Sequence, residues 1–213
     1  MALTTLIPLL QDARAKRYAI PAFHVSNDEM VRAVAEVCAQ ERCPAIFMLL
    51  KPDLGGAGQA LLINMIRTAA DHFGIPCCIH LDHATALSDI QSCVEAGATS
   101  VMYDGSSLPF EENLRNTLEV VRYAHGQGVS VEAELGHVTD AIGGLSETGE
   151  ACANEPSVEE CLTDPDQVLR FVRETGVDCL AVAIGTAHGV YVRTPELRFE
   201  RLRAIEAVSP CPL

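Results

Sequence analysis

Val129-Ser130-Val131-Glu132-Ala133-Glu134-Leu135 alternates strictly, with Val129, Val131, Ala133 and Leu135 on one side of an extended chain and Ser130, Glu132 and Glu134 on the other. Cys77-Cys78-Ile79-His80-Leu81-Asp82 repeats the pattern, Ile79 and Leu81 opposing His80 and Asp82. Such strands bury one face under helices and turn the other toward a space that becomes polar near their C-terminal ends. An open sheet covered on both faces reads as apolar throughout. The alternation therefore predicts a barrel with a polar lumen and a reactive C-terminal mouth. No G-x-G-x-x-G follows a strand, so a dinucleotide fold has no support.

Working outward, the chain alternates strand and helix patterns, which predicts an α/β fold with parallel strands. Strands are expected over Ala19–Phe23, Pro44–Leu50, Pro76–Asp82, Thr99–Asp104, Val129–Glu134 and Asp178–Ile184. That makes about six βα units, two short of a closed (β/α)8 TIM barrel, in one partial domain over residues 1–213. Ser26-Asn27-Asp28-Glu29 caps a helix entering at Met30, and Thr163-Asp164-Pro165 opens another that Gly176 closes. Phe110, Leu114, Leu118 and Val121 form one apolar stripe. The opening MALTTLIPLLQDARAKR has an amphipathic helical pattern and not that of a secretion signal.

The 213 residues are 48% hydrophobic and carry a net charge of −14, enough for one sizeable core and wrong for a nucleic-acid surface. Any bound phosphate must be met by local geometry. Nine cysteines form no C-x-x-C pair, and Cys38, Cys77, Cys93 and Cys179 lie in apolar runs, so they read as core residues in a reducing, cytoplasmic setting. No apolar run is long enough to span a bilayer.

Chemistry-bearing residues gather at the strand ends: Asp82 and His83 on the third, Asp104 on the fourth, Glu134 on the fifth, and His188 after the sixth. Any one alone reads as a loop cap. Five on successive strand ends read as a site, and imidazole with carboxylate is a donor set for zinc or another divalent cation.

The runs HLDH (His80–His83), SVMYDGSSLPFEENL (Ser100–Leu114), YAHGQGVSVEAELG (Tyr123–Gly136) and AVAIGTAHGVY (Ala181–Tyr191) resemble, in order, signatures of the class II fructose- and tagatose-bisphosphate aldolases. The resemblance implies a zinc-dependent (β/α)8 barrel, usually a homodimer or homotetramer. It implies reversible cleavage of a ketose 1,6-bisphosphate to dihydroxyacetone phosphate and glyceraldehyde 3-phosphate. It makes His83 and His188 zinc ligands and Asp82 the acid/base at the C4 hydroxyl. Glu134 and Asp104 match carboxylates that line an alternative or second metal position in some members. Gly189 matches a backbone position that holds phosphate, whereas Gly185 serves the tight turn. A cation acting as Lewis acid removes the need for a Schiff-base lysine, and Lys51 beside Pro52 reads as exposed.

Residues 136–162 lack a clear period and are expected to form a mobile active-site loop, in which Glu147 or Glu150 could move a proton; His137 reads as a loop histidine. His24 replaces an asparagine common in relatives, and Leu49-Leu50-Lys51 lacks a frequent serine. The sequence stops at Ser209-Pro210-Cys211-Pro212-Leu213, where a seventh strand is expected to start. In relatives that strand ends in H-G-G/A-S-G and brings a third zinc-binding histidine. The readings left open are a fructose 1,6-bisphosphate aldolase, its tagatose counterpart, a non-catalytic remnant of the family, and another barrel metalloenzyme such as a hydrolase.

Overall fold

The computed structural model describes residues 3–51, 55, 57–140, 158–189 and 194–213. In chain order the elements are α1 (Leu6–Lys16), β1 (Ala22–His24), α2 (Asp28–Glu41), β2 (Ala45–Leu49), α3 (Gly58–Phe73), β3 (Cys77–Ala84), α4 (Leu87–Ala96) and β4 (Ser100–Tyr103). There follow α5 (Phe110–Gly126), β5 (Ser130–Leu135), β6 (Thr139–Asp140), α6 (Val158–Cys161), α7 (Pro165–Thr175), β7 (Cys179–Val182), β8 (Ala187–His188) and α8 (Phe199–Val208). Strands β1-β2-β3-β4-β5-β7 pair in that order, all parallel, as a half-barrel sheet consistent with an incomplete TIM barrel.

Local chemistry sets the helix ends. The Asn27 side chain accepts from Met30 N–H at 2.9 Å, and Asp164 accepts from Asp166 N–H at 3.0 Å with Pro165 in the first turn. On α5 the buried face centres on Asn113, Leu114, Thr117, Val120, Val121 and Ala124, leaving Phe110 and Leu118 at its margin. Two polar residues belong to that face because they bond each other and the sheet. β7 starts one residue later than expected, at Cys179, where the Asp178 carboxylate accepts from Val131 N–H at 2.7 Å, and ends two residues earlier, at Val182.

The register sorts side chains as the alternation requires. Val131, Ala133 and Leu135 are buried under the helices, in one core with Phe47, Ile79, Leu81, Val101, Phe171 and Leu180. The other face has its own layers. Ile46 pairs with Cys78, and with Cys179 they meet Leu6 and Leu9 of α1 in a separate apolar cluster. Leu6 N–H donates to Ser130 Oγ at 3.0 Å. Helix α1 thus plugs the N-terminal end of the lumen, which makes the C-terminal end its open mouth.

β1 is exposed along its length, with Phe23 38% exposed. On the far edge Leu180 N–H donates to Pro212 O at 3.1 Å, so the chain returns to the sheet after α8. No helix among the described residues is long and apolar enough to cross a membrane.

Thr163, fully buried, ties the end of β5 to the segment after β7. Its hydroxyl donates to Leu135 O and accepts from Ala183 N–H at 2.8 Å, and its own carbonyl accepts from Arg201 Nη1 at 3.0 Å. Valine has the same shape without the hydroxyl and leaves both backbone groups unpaired. Thr163→Val is expected to lower stability by about 1–3 kcal/mol, read as a reduced urea midpoint at unchanged slope, with Thr163→Ser retaining most of the difference.

Candidate active site

Leu81 pairs with Val101 and Ala84 with Tyr103, so β3 takes three steps where β4 takes two. The extra residue falls within Asp82-His83. A regular strand sends neighbouring side chains to opposite faces, and a bulge re-aims one of them. His83 has the left-handed φ of 48°, a conformation that costs a non-glycine residue roughly 1–3 kcal/mol. Both side chains are mostly buried, at 14% exposure each, so the bulge sets a carboxylate and an imidazole side by side at the mouth.

Asp104 holds the bulge in place. Its N–H donates to Ala84 O at 2.8 Å, its Oδ2 lies 3.0 Å from His83 Nδ1, and its Oδ1 accepts from Ser106 N–H at 3.0 Å. Next to it Glu134, 2% exposed, accepts from Val138 N–H at 2.8 Å. Asn113 Nδ2 donates to Glu134 O at 2.9 Å, with Asn113 steadied by the Thr117 hydroxyl. These bonds explain the polar residues on α5. Ligand atoms of His83, Asp104 and Glu134 all lie within 4.8 Å of one another.

His188 arrives by a device the sequence does not announce. β8 pairs in parallel with β6, Ala187 opposite Thr139 and Asp140 opposite His188. The pairing brings the His188 ring to 4.9 Å from that of His83, at 80°. Gly189 follows at φ 79°, and Gly185 at φ 105° could carry no Cβ without meeting Glu196 O at 2.6 Å. Glycine is required at Gly185 by close packing, as a tight turn demands. Thus four sequence-predicted residues, His83, Asp104, Glu134 and His188, meet at one mouth with Asp82 beside them. Residues 141–157, including Glu147 and Glu150 of the expected loop, lie outside the described residues, as does Tyr191.

The charges follow from the packing. Burial opposes a charged His83, but its bond to Asp104 and the charges of Asp82, Asp104 and Glu134 outweigh that and raise it to about 9. Burial would raise Asp104, yet its bonds to His83 and Ser106 bring it down to about 2. Burial, helped by the Asp104 charge, lifts Glu134 to about 7. A raised histidine stabilises the fold fully below its ordinary value of about 6.5 and loses that contribution as pH climbs through about 9. The depressed Asp104 does the reverse, contributing above its ordinary range and losing it as pH falls toward about 2.

Below the mouth lies a polar layer, set back from the strand ends, whose members sit on the polar side of the alternation. His80 Nδ1 meets Ser100 Oγ at 2.9 Å, and its Nε2 is 3.4 Å from Glu132 Oε2 and 4.0 Å from Asp82 Oδ1. Burial takes His80 down to about 4 and, with the Asp82 charge, takes Glu132 up to about 8. Near neutrality the layer is therefore uncharged. His137 lies in a loop as expected, and its Nδ1 meets Ser106 Oγ at 2.9 Å. The chain's two lysines are both exposed, Lys16 paired with Asp12 at 2.7 Å and Lys51 with Asp89 at 3.3 Å.

Known proteins resemble this chain along nearly its whole length. The family model of class-II fructose-bisphosphate aldolase matches residues 4–213. The YdjI aldolase from Escherichia coli K12 is 33% identical with a TM-score of 0.84, over 99% of this chain and 71% of that one. A candidate fructose-1,6-bisphosphate aldolase from Coccidioides immitis is 34% identical with a TM-score of 0.81, over 94% of this chain and 68% of that one. The fructose-bisphosphate aldolase of Campylobacter jejuni, at 24% identity and a TM-score of 0.77 over 97% and 64%, shows the same fold. A family match over residues 4–213, with similar structures at 33% and 34% identity, settles the kinship: the chain belongs to the class II fructose-bisphosphate aldolase family.

Proposed function

We propose that this chain carries a metal-dependent aldol cleavage of a ketose 1,6-bisphosphate, with fructose 1,6-bisphosphate the first choice. The observation that carries the reading is the β3 bulge, which aims a carboxylate, Asp82, and an imidazole, His83, into one mouth. The donor set fits a divalent cation of the zinc type. His83, Asp104 and Glu134 offer nitrogen and oxygen atoms within 4.8 Å of one another, donor types that would suit zinc or a similar divalent cation. His83 and His188 are the imidazole ligands. Asp104, bonded to His83 Nδ1, orients that ring as carboxylates do behind metal-bound histidines, and with Glu134 it lines an alternative or second position.

When bound, the cation supplies a Lewis acid for the negative charge that develops on the C2 oxygen. Asp82 takes the proton of the C4 hydroxyl as the C3–C4 bond breaks, C4 becomes the aldehyde carbon, and the electron pair passes through C3 toward the C2 oxygen. In the reverse direction Asp82 returns that proton. The surface lysines leave no candidate for a Schiff base. Backbone amides around Gly189 receive a phosphate, because oriented N–H groups attract an anion even on a chain of net charge −14. Glu147 or Glu150 handles the proton at C3. The setting is cytoplasmic, in keeping with described cysteines that are all free thiols, and the family's dimer or tetramer is the expected assembly.

The third imidazole implied by the resemblance is not among these 213 residues. Two imidazoles leave the site one nitrogen short. The 213 residues alone are expected to bind zinc weakly and to show no significant cleavage of fructose 1,6-bisphosphate. Adding the two remaining strands of a relative should restore both, measured as zinc stoichiometry and release of triose phosphate. Equal activity of the short and extended forms would place the site elsewhere, and preference for tagatose 1,6-bisphosphate would reverse the choice of sugar.

In the extended form, Asp82→Ala is expected to lower turnover about 10²–10⁴-fold, the usual contribution of a general acid/base, while zinc content stays unchanged. Loss of zinc at unchanged fold would make Asp82 a ligand instead.

Metal and proton also compete for His83. An imidazole raised to about 9 is protonated at pH 7 and must release that proton to bind zinc. Proton release at saturating zinc, measured by calorimetry in buffers of different ionisation enthalpy, should exceed that of His83→Asn by roughly one proton at pH 7. The difference should vanish as pH rises past about 9. A difference constant with pH would contradict the assignment of His83.

A further inference from the structure

Helix α2 ends in a turn with two hydrogen bonds. Arg42 N–H donates to Ala39 O at 3.3 Å and Cys43 N–H to Cys38 O at 3.0 Å, with Arg42 in the left-handed region at φ 56°. This is the nested pair of bonds of the Schellman motif, and Pro44 holds Cys43 extended so that the helix cannot continue. In that motif the side chain just after the left-handed residue folds back onto the last turn of the helix, commonly as an apolar contact. The two positions that meet are here both cysteine, Cys43 and Cys38, and their thiols interact directly.

The pair differs from the other described cysteines. Cys38 is 2% exposed, while Cys43 is the one described cysteine that solvent reaches appreciably. The backbone bond between the two residues keeps their Cα atoms near the roughly 4.4–6.8 Å span that a disulfide bridges. We propose that Cys38 and Cys43 are an oxidation site, closing to a reversible disulfide when the chain meets a hydroperoxide. The site lies at the turn into β2, on the N-terminal side of the sheet, and it is independent of the catalytic reading.

The chemistry balances without another reactant. The Cys43 thiolate attacks the terminal oxygen of the hydroperoxide, the O–O bond breaks, and the departing oxygen takes a proton, leaving Cys43 as the sulfenic acid. Cys38 then attacks the Cys43 sulfur, the S–S bond forms, the S–O bond breaks, and hydroxide leaves with the Cys38 proton as water. Each sulfur loses one electron and the peroxide gains two. Burial pushes the Cys38 thiol up to about 11, so Cys38 is not the first nucleophile, and it attacks only once the Cys43 sulfenic acid lies against it. A small thiol reverses the reaction by exchange.

The test uses the full chain, reduced, freed of reductant, and treated with equimolar hydrogen peroxide while near-ultraviolet circular dichroism confirms that it stays folded. Remaining thiols are then alkylated in denaturant and the protein is digested with trypsin without reduction. Trypsin cuts after Arg32 and after Arg42, between the two cysteines. A disulfide therefore holds the fragments beginning at Ala33 and Cys43 together until reductant is added. The linked pair should be the main product, with an intact mass lower by two hydrogens. Cys43→Ser should abolish it and leave Cys38 alkylated. Recovery of Cys43 as a sulfinic acid beside an alkylated Cys38, a link from Cys38 to Cys77, or no reaction while a control thiol peptide is consumed, each overturns the proposal.

Discussion

Asp82 and His83 are neighbours in sequence, and a regular strand would turn one into the lumen and bury the other under α4. The bulge in β3 removes that conflict by adding one residue against β4, and the rest of the mouth is organised around the result. The left-handed His83 is strained, so something must hold it. Asp104 does so twice, through its N–H to Ala84 O and its carboxylate to His83 Nδ1. Asp104 can do this because Ser106 N–H binds its second oxygen. Strain, orientation and charge are therefore met by one residue, Asp104, just past the end of β4.

The lumen is graded along its axis, and the gradient accounts for which groups carry charge. At the plugged end Leu6, Leu9, Ile46, Cys78 and Cys179 are apolar. Above them His80, Ser100 and Glu132 are polar but neutral near pH 7, since burial lowers His80 to about 4 and raises Glu132 to about 8. Isolated charges in that layer would be costly. Only at the bulge do opposite charges sit close enough to support each other, His83 raised and Asp104 depressed. A site that concentrates charge at one end of a low-dielectric tube is suited to a multivalent cation and to a proton-transfer group beside it.

Much of this was legible in the residues themselves. Alternation in Val129–Leu135 correctly divided β5 into a helix-covered face and a lumen face, and the Asp164 cap began α7 where expected, whereas α2 starts at Asp28 behind Asn27, two residues before Met30. The bulge was not legible, because H-L-D-H reads identically in a regular and a bulged strand; only the pairing with β4 distinguishes them. β6 and β8 were missed because two residues carry no period, yet their pairing is what brings His188 to His83. Ser106 and His137 bond across 31 residues of sequence, a separation at which no local pattern operates. Helix α1 was legible as amphipathic, whereas its role as a plug depends on which end of the lumen it meets.

The open edges bear on the same chemistry. β1 is exposed, and the Glu132 side chain, although it faces the lumen, remains 25% accessible. The bond from Leu180 N–H to Pro212 O shows the backbone after α8 already running along the outer edge of β7. A chain continuing in that direction would pair with β7 and cover the side of the lumen on which Glu132 and His80 lie. Covering them removes water, and removing water strengthens every interaction between the remaining charges. It would further disfavour ionisation of the already neutral layer and leave the charge concentrated on His83 and Asp104 at the bulge. Cover on that side of the sheet would therefore set the dielectric in which the bulge works.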